Sequence, residues 1–312
     1  MNKPILYFFI LLSLAFAGCE TLVNDVDPSR LPKSDNKLVV HGYLAPQDTL
    51  LEINVRSSSP VTGPNGRFFG SSLVSLSNAT VTIFNQNRSV NLLLDPKQGN
   101  YTTKASNMPI LAGQTYNLKV TLGSLSVESS CTIPQAVPIK EVREDSVAAQ
   151  SFGSLPPNVV RPKDRTYRVF WDDPAGQVNY YRVSGYLYEV QRFQTGMNQF
   201  QERPQITSIS FRNSSQSGDL YADAQRDGTL MASATGLLSS FWFGNNPVVP
   251  NTRRIQLSLI TCDKAYYDYH RLVNSFDGDN PFSEPTLIPT NIKGGFGCFA
   301  GYNRTDFLVK TR

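Results

Sequence analysis

Tyr116, Leu118, Val120 and Leu122 alternate with Asn117, Lys119 and Thr121. A period of two places one set of side chains against a core and the other in solvent, which is the signature of a half-buried strand. The pattern recurs through the first half of the chain. Lys37–Leu44 and Thr49–Ser57 are separated by Ala45-Pro46-Gln47-Asp48, a turn with Pro where φ near −65° is wanted. Further runs follow at Ala79–Asn85, Ser89–Leu94, Gly99–Thr103, Thr115–Leu122 and Leu125–Ile133. Seven short strands with turn signals between them predict a β-sandwich over residues 37–135. Gly113-Gln-Thr-Tyr116 is similar to the turn-then-Tyr start of immunoglobulin- and fibronectin-like strands. Residues 59–76, with Gly63, Gly66 and Gly70, read as a long loop.

A second unit is expected over residues 136–312. Its strands are predicted at Val137–Asp145, Thr166–Trp171, Tyr180–Phe193, Ile206–Phe211, Arg254–Cys262 and Gly297–Val309. One helix interrupts them, at residues 263–274. Asp263 suits its N-cap, and Tyr266, Tyr269, His270 and Val273 share one face at i, i+3, i+4 and i+7. The expected fold class is therefore all-β: two immunoglobulin- or fibronectin-like β-sandwich domains in tandem, with one short helix before the last strand.

The N-terminus speaks to location. Lys3 precedes thirteen apolar or small residues, Ile5 to Ala17, which are too few for a membrane span of about twenty. The segment reads as a signal peptide over residues 1–18. Leu14-Ala15-Phe16-Ala17-Gly18-Cys19 is the pattern of a bacterial lipoprotein signal, with small side chains for the peptidase and the Cys19 thiol to carry the lipid. Residues 19–36, with Asp25, Asp27, Pro28 and Pro32, read as a lipidated tether. Extended, the 17 residues after Cys19 reach roughly 55 Å at about 3.3 Å per residue. Its acidic start is either a sorting signal or a merely solvated linker.

Charge and catalytic motifs exclude several function classes. Without Lys3 there remain 28 basic and 25 acidic side chains, a net charge of +3, and the arginines are scattered. A nucleic-acid partner is not expected. Neither CxxC nor HExxH occurs, so no zinc site, and no other metal or cofactor, is expected. Asp277-Gly-Asp279-Asn280 offers oxygen ligands but lacks the Gly and Glu of a calcium loop, and a turn is the plainer reading. The chain has two histidines, His41 mid-strand and His270 on the helix, and neither accompanies a GxSxG elbow. Gly294-Gly295-Phe296-Gly297 precedes a strand and lacks phosphate-loop spacing, so a backbone bend or close contact explains it. Past Cys19 three cysteines remain, Cys131, Cys262 and Cys298. Cys262 and Cys298 are the expected disulfide partners, against the alternative that all three are small buried hydrophobes. Phe241-Trp242-Phe243, beside Gly244-Asn-Asn-Pro247, is the candidate ligand-binding platform, against the alternative of core packing.

Ala265-Tyr-Tyr-Asp-Tyr269, Asn280-Pro-Phe-Ser-Glu-Pro285 and Thr290 to Tyr302 resemble the closing block of domain-of-unknown-function family 4249. Cys19-Glu20, Leu38-Val-Val-His-Gly-Tyr43, Ser57-Ser-Ser-Pro60, Val169-Phe-Trp-Asp-Asp-Pro174 and Asn179-Tyr-Tyr-Arg182 carry the resemblance over nearly the whole mature chain. Cys298 stands where that family more often has an aliphatic residue. The resemblance implies a Bacteroidota outer-membrane lipoprotein, held to lipid through Cys19 and working beside a TonB-dependent receptor. It supplies no catalytic residues. A non-enzymatic accessory in capture of a glycan, peptide or other small nutrient is the leading expectation. An adhesion or envelope-structural lipoprotein and an unrecognised hydrolase are the alternatives.

Overall fold

The computed structural model describes residues 36–58, 76–148, 163–196, 199–213, 216–238, 253–275 and 287–309. Seven strands make up the N-terminal part: β1 (Leu38–Leu44), β2 (Leu50–Ser57), β3 (Thr80–Phe84), β4 (Ser89–Asp95), β5 (Asn100–Lys104), β6 (Thr115–Leu122) and β7 (Leu125–Thr132). Each lies within about two residues of its predicted run. β4 changes partners midway: Ser89–Leu92 pair with β3, and Leu93–Asp95 pair with β5. That switch folds the sheet over on itself. Val40, Leu51 and Ile53 on one layer then meet Ile83, Tyr116 and Leu118 on the other, all fully buried. At about 25 cal/mol per Å² of apolar area removed from water, this interior is the main stabilising term.

The C-terminal part begins with β8 (Glu141–Ala148), β9 (Lys163–Asp172), β10 (Tyr180–Gly196) and β11 (Gln199–Ser208). Short strands follow: β12 (Ser210–Asn213), β13 (Gln216–Ser217), β14 (Leu220–Ala222), β15 (Leu230–Ala232) and β16 (Gly236–Leu238). The chain then runs through β17 (Arg253–Cys262), helix α1 (Lys264–Ser275) and β18 (Phe296–Val309). A layer of β18, β17, β10 and β11, with β14 also on β10, faces a second layer built around β9. Trp171, Tyr167, Tyr181 and Leu257 fill the space between them, fully buried. Among the described residues the fold is all-β with one α-helix before the last strand, as expected.

Two expectations change. The predicted strand Ile206–Phe211 is two strands in different layers, since β11 pairs with β10 and β12 with β16. Ile209 is the hinge between them; it is buried, and its N–H donates to Gly185 O at 2.8 Å. The second correction concerns the division at residue 136. Phe296–Gly301 of β18 pair in parallel with β1, whereas Tyr302–Val309 pair antiparallel with β17. The last strand therefore belongs to both sandwiches, and its Phe299 is buried in the N-terminal core. Main-chain order runs unbroken from β11 to β7 through this strand.

The glycine run before β18 makes that close pairing feasible. Gly297 has φ +110°, and a Cβ there would collide with the carbonyl oxygen of Val40. At Gly295 a Cβ would stand 2.5 Å from Leu38 O. Gly297→Ala should cost about 1–3 kcal/mol in backbone strain, with the collision added. In urea unfolding, its transition midpoint should fall, and the near-ultraviolet signals of both sandwiches should shift together because one strand serves both.

Candidate functional site

Helix α1 covers the place where β18 passes from one sandwich to the other. Asp263 caps it: Oδ1 accepts the Tyr266 N–H at 2.9 Å while Oδ2 accepts the Gly301 N–H at 2.8 Å. Burial raises the Asp263 carboxyl to about 6, against the pull of those hydrogen bonds. Beneath the helix lies a layer of rings. Tyr266 and His270 stand 4.3 Å apart, Tyr43 is 5.5 Å from Tyr266, and His41 Nε2 meets the Tyr269 hydroxyl at 2.7 Å. Arg182 reaches in from β10, donating to the Tyr266 hydroxyl at 3.1 Å and to Asp219 at 2.9 Å. Val273, expected on the same helical face, is 37% exposed, because the layer ends one turn earlier.

Both histidines are thus packing residues. Burial, then Arg56, lowers His41; burial, then Arg182, lowers His270 to about 4. His41 is the register partner of Cys298 across the β1–β18 pair, but its Nε2 is engaged by the Tyr269 hydroxyl and burial holds the thiol protonated. The expected Cys262–Cys298 bridge is absent: both are free, buried thiols, as is Cys131. Cys262 sits opposite Tyr302 in the β17–β18 ladder, and Cys298 precedes Tyr302 by four residues. The Cys298 thiol lies against Ala265 O at 3.6 Å, at the start of α1. The thiols behave as small hydrophobes instead, with Cys298 pushed up to about 12 by burial and then by Asp263. Cys19, Phe241, Trp242, Phe243 and the Asp277–Asn280 segment lie outside the described residues.

The C-terminal sandwich carries a second polar cluster that the sequence did not reveal. Carboxylate oxygens of Asp173, Asp223 and Asp227 lie within 4.8 Å of one another, the one set with cation-ligand spacing among the described residues. Asp173 accepts from the Tyr181 hydroxyl at 2.5 Å and from Gly228 N–H at 2.9 Å. Asp223 takes the Asn179 N–H at 2.8 Å, and Asp227 takes the Gly176 N–H at 2.9 Å. Backbone donors therefore engage all three, and the cluster latches the turn after β9 onto the turn after β14.

Beside this latch opens a cleft of about 510 Å³. β14 supplies Tyr221, β15 supplies Met231, the next link supplies Ser233, and Arg168 and Arg226 complete the lining. The Tyr221 ring is fixed. Its hydroxyl accepts the Ala234 N–H at 2.7 Å and donates to Gly218 O, and the ring stands edge-on to Trp171 at 5.5 Å. A second cleft, of about 550 Å³, runs along β7. Its polar groups are largely spoken for: Ser129 donates to Asn291 O, and Glu128 pairs with Lys119 at 3.0 Å.

One face of the β10–β11 ribbon is unusually apolar. Ile206, opposite Tyr188, is 64% exposed, and Phe200 on the same face is 50% exposed. Tyr186 and Leu308 extend the strip through their shared partner Gln256. Gln256 and Arg254, whose guanidinium stands 4.7 Å from the Tyr188 ring centroid, divide these exposed apolar side chains.

With these features in place, residues 22–307 match the family described as a domain of unknown function, DUF4249. The chain belongs to the DUF4249 family. No curated protein matches it. Among solved structures, a two-domain fibronectin type III segment of chicken tenascin is similar over 89% of this chain and 100% of that one, at 12% identity. Its TM-score of 0.20 is too low to carry an argument. In this DUF4249 chain the segments that carried the resemblance converge on two places. Leu38–Tyr43, Ala265–Tyr269 and Thr290–Tyr302 build the crossover under α1, while Val169–Pro174 and Asn179–Arg182 build the Trp171–Asp173–Tyr181 latch. The cleft arginines escaped sequence reading because single arginines in a scattered set have no spacing to detect.

The crossover carries opposed proton linkages. Asp263 titrates near 6 in the fold against an ordinary 3.8, so acidification through that window favours the folded state. His270 titrates near 4 against an ordinary 6.5, and His41 is also lowered, so the same acidification disfavours it. Two histidines oppose two carboxyls, since burial also raises Asp48 beside Tyr302. The wild-type urea midpoint should therefore fall only modestly from pH 7 to pH 4. Asp263→Asn, which keeps a capping oxygen, should lose part of the offset and fall more steeply over that range.

Proposed function

We propose that this protein is a non-catalytic outer-membrane lipoprotein, anchored through Cys19, that serves as the accessory of a TonB-dependent receptor in capture of glycans or peptides. The observation that carries the reading is the short apolar segment Ile5–Ala17 ending in Ala17-Gly18-Cys19, followed by a proline- and aspartate-bearing tether. Each buried acyl methylene contributes about 0.8 kcal/mol, so several chains on one cysteine give durable attachment. Non-catalytic action is supported by the way the described histidines and thiols are used. His41 and His270 are held neutral within packed rings, and burial keeps Cys131, Cys262 and Cys298 protonated. Such groups are poor general bases and nucleophiles at neutral pH.

The test is affinity purification of the tagged protein from detergent-solubilised outer membranes, with mass spectrometry of what accompanies it. A TonB-dependent barrel recovered in comparable amount is the expected result. Cys19→Ala should move the protein to the soluble fraction and lose the barrel. Recovery of a lipidated protein with no barrel, or efficient turnover of glycans or peptides by the pure protein, would overturn the proposal.

A further inference from the structure

The cleft beside Tyr221 differs from the rest of the surface in its unanswered charge. Arg168 is fixed rather than free-swinging: its guanidinium carbon lies 5.3 Å from the Phe170 ring centroid, and Nε donates to Ser233 O at 3.4 Å. Its two terminal nitrogens have no partner among the described residues. Arg226 likewise makes no side-chain hydrogen bond or ion pair there, although its own N–H donates to Asp223 O at 2.5 Å and so fixes its backbone. The neighbouring carboxylates form no ion pair with these arginines. Asp173, Asp223 and Asp227 are turned to the backbone donors of the latch, and no Asp or Glu lines the cleft. The remaining wall is apolar or hydroxylic, with the immobile Tyr221 ring, buried Met231, and alanines.

Several other cations of the fold have carboxylate partners. Arg182 has Asp219, Arg165 has Glu144, Arg143 has Glu141, and Lys119 has Glu128. What sets this cleft apart is that two open guanidinium groups line one concavity from which Asp and Glu are absent. A guanidinium fork matches an oxyanion in geometry as well as charge. The cleft volume lies within the range of small-molecule sites, about 300–1,000 Å³.

We propose that this cleft binds a small ligand that carries a carboxylate, with Arg168 and Arg226 holding the carboxylate and Tyr221 with Met231 receiving the ligand's apolar face. The inference rests on the capture role proposed above and narrows it to acidic cargo. The carboxylate has two sources of the right size, an acidic sugar or the free carboxyl end of a short peptide. The latch gives the cleft its rigidity, because it fixes the turn that bears Arg226 to the strand system that bears Arg168.

The test is isothermal titration calorimetry on the full mature protein in detergent, with paired probes that differ only in charge. Digalacturonate is compared with neutral galactobiose, and the dipeptide Ala-Phe with its C-terminal amide. At least one acidic member should bind saturably, and its neutral twin about tenfold or more weaker, the loss that follows from one charged hydrogen-bonded contact. Whichever acidic probe binds identifies the source. Arg168→Gln and Arg226→Gln should each weaken that binding about tenfold, and added salt should weaken it in the wild type. Both sites are exposed, and unchanged urea midpoints would show that the variants fold. Binding of neither acidic probe at millimolar concentration, equal binding of a neutral twin, or affinity unchanged in both variants would overturn the proposal. The capture role fails separately, by the absence of a receptor in the membrane purification, which neither arginine substitution should affect.

Discussion

The two hydrogen bonds accepted by Asp263 hold the molecule's central joint. One oxygen starts helix α1 at Tyr266, and the other fixes Gly301, the residue at which β18 leaves β1 and turns to β17. A carboxylate in this position is costly to bury, which is why its proton affinity rises. The cost is partly offset by the Tyr266 and Gly301 N–H groups that it accepts. With the joint fixed, Phe299 enters one core while Leu257 and Leu259, opposite the second half of β18, complete the other.

Other contacts at the same level reinforce the joint. Asn303, buried just past the crossover, donates to Pro134 O at 3.0 Å and accepts from Gln47 at 2.7 Å. It thereby ties the link between the sandwiches to the β1–β2 turn. Val137 N–H reaches the Thr261 hydroxyl at 3.3 Å. The ring layer under α1 then seals the junction against water. What the chain uses its histidines and its tyrosine-rich helix for is cohesion, so its chemistry must be sought on outer surfaces.

The parts of this fold that were legible in sequence are those that repeat. β6 reads directly from Tyr116-Asn-Leu-Lys-Val-Thr-Leu, because alternate burial of successive side chains is a local property. The helix was equally readable from Asp263 and the tyrosine spacing. Strands of two or three residues, such as β13 and β15, are too short to show a period. The shared β18 was hidden for a different reason: its Gly297–Gly301 half looks like any strand, and only long-range pairing reveals which sheet it joins. The same limit applies to the sites. Cys262 and Cys298 suggested a bridge from proximity in a C-terminal block, yet both are free thiols. Arg168 and Arg226 stand far apart in sequence and meet only because β9 and the turn after β14 line the same cleft.

The parallel pairing of β1 with Phe296–Gly301 also bears on biogenesis. Val39 pairs with Phe296, so the earliest strand of the described fold waits for nearly the latest. Contacts between such distant residues form slowly, because the loop must close before it is rewarded. An N-terminal sandwich that lacks one of its strands until almost the entire polypeptide has emerged would remain open during synthesis. Until β18 arrives, one edge of β1 has no partner, so a chain that stops short of Phe296 presents that edge to any other strand.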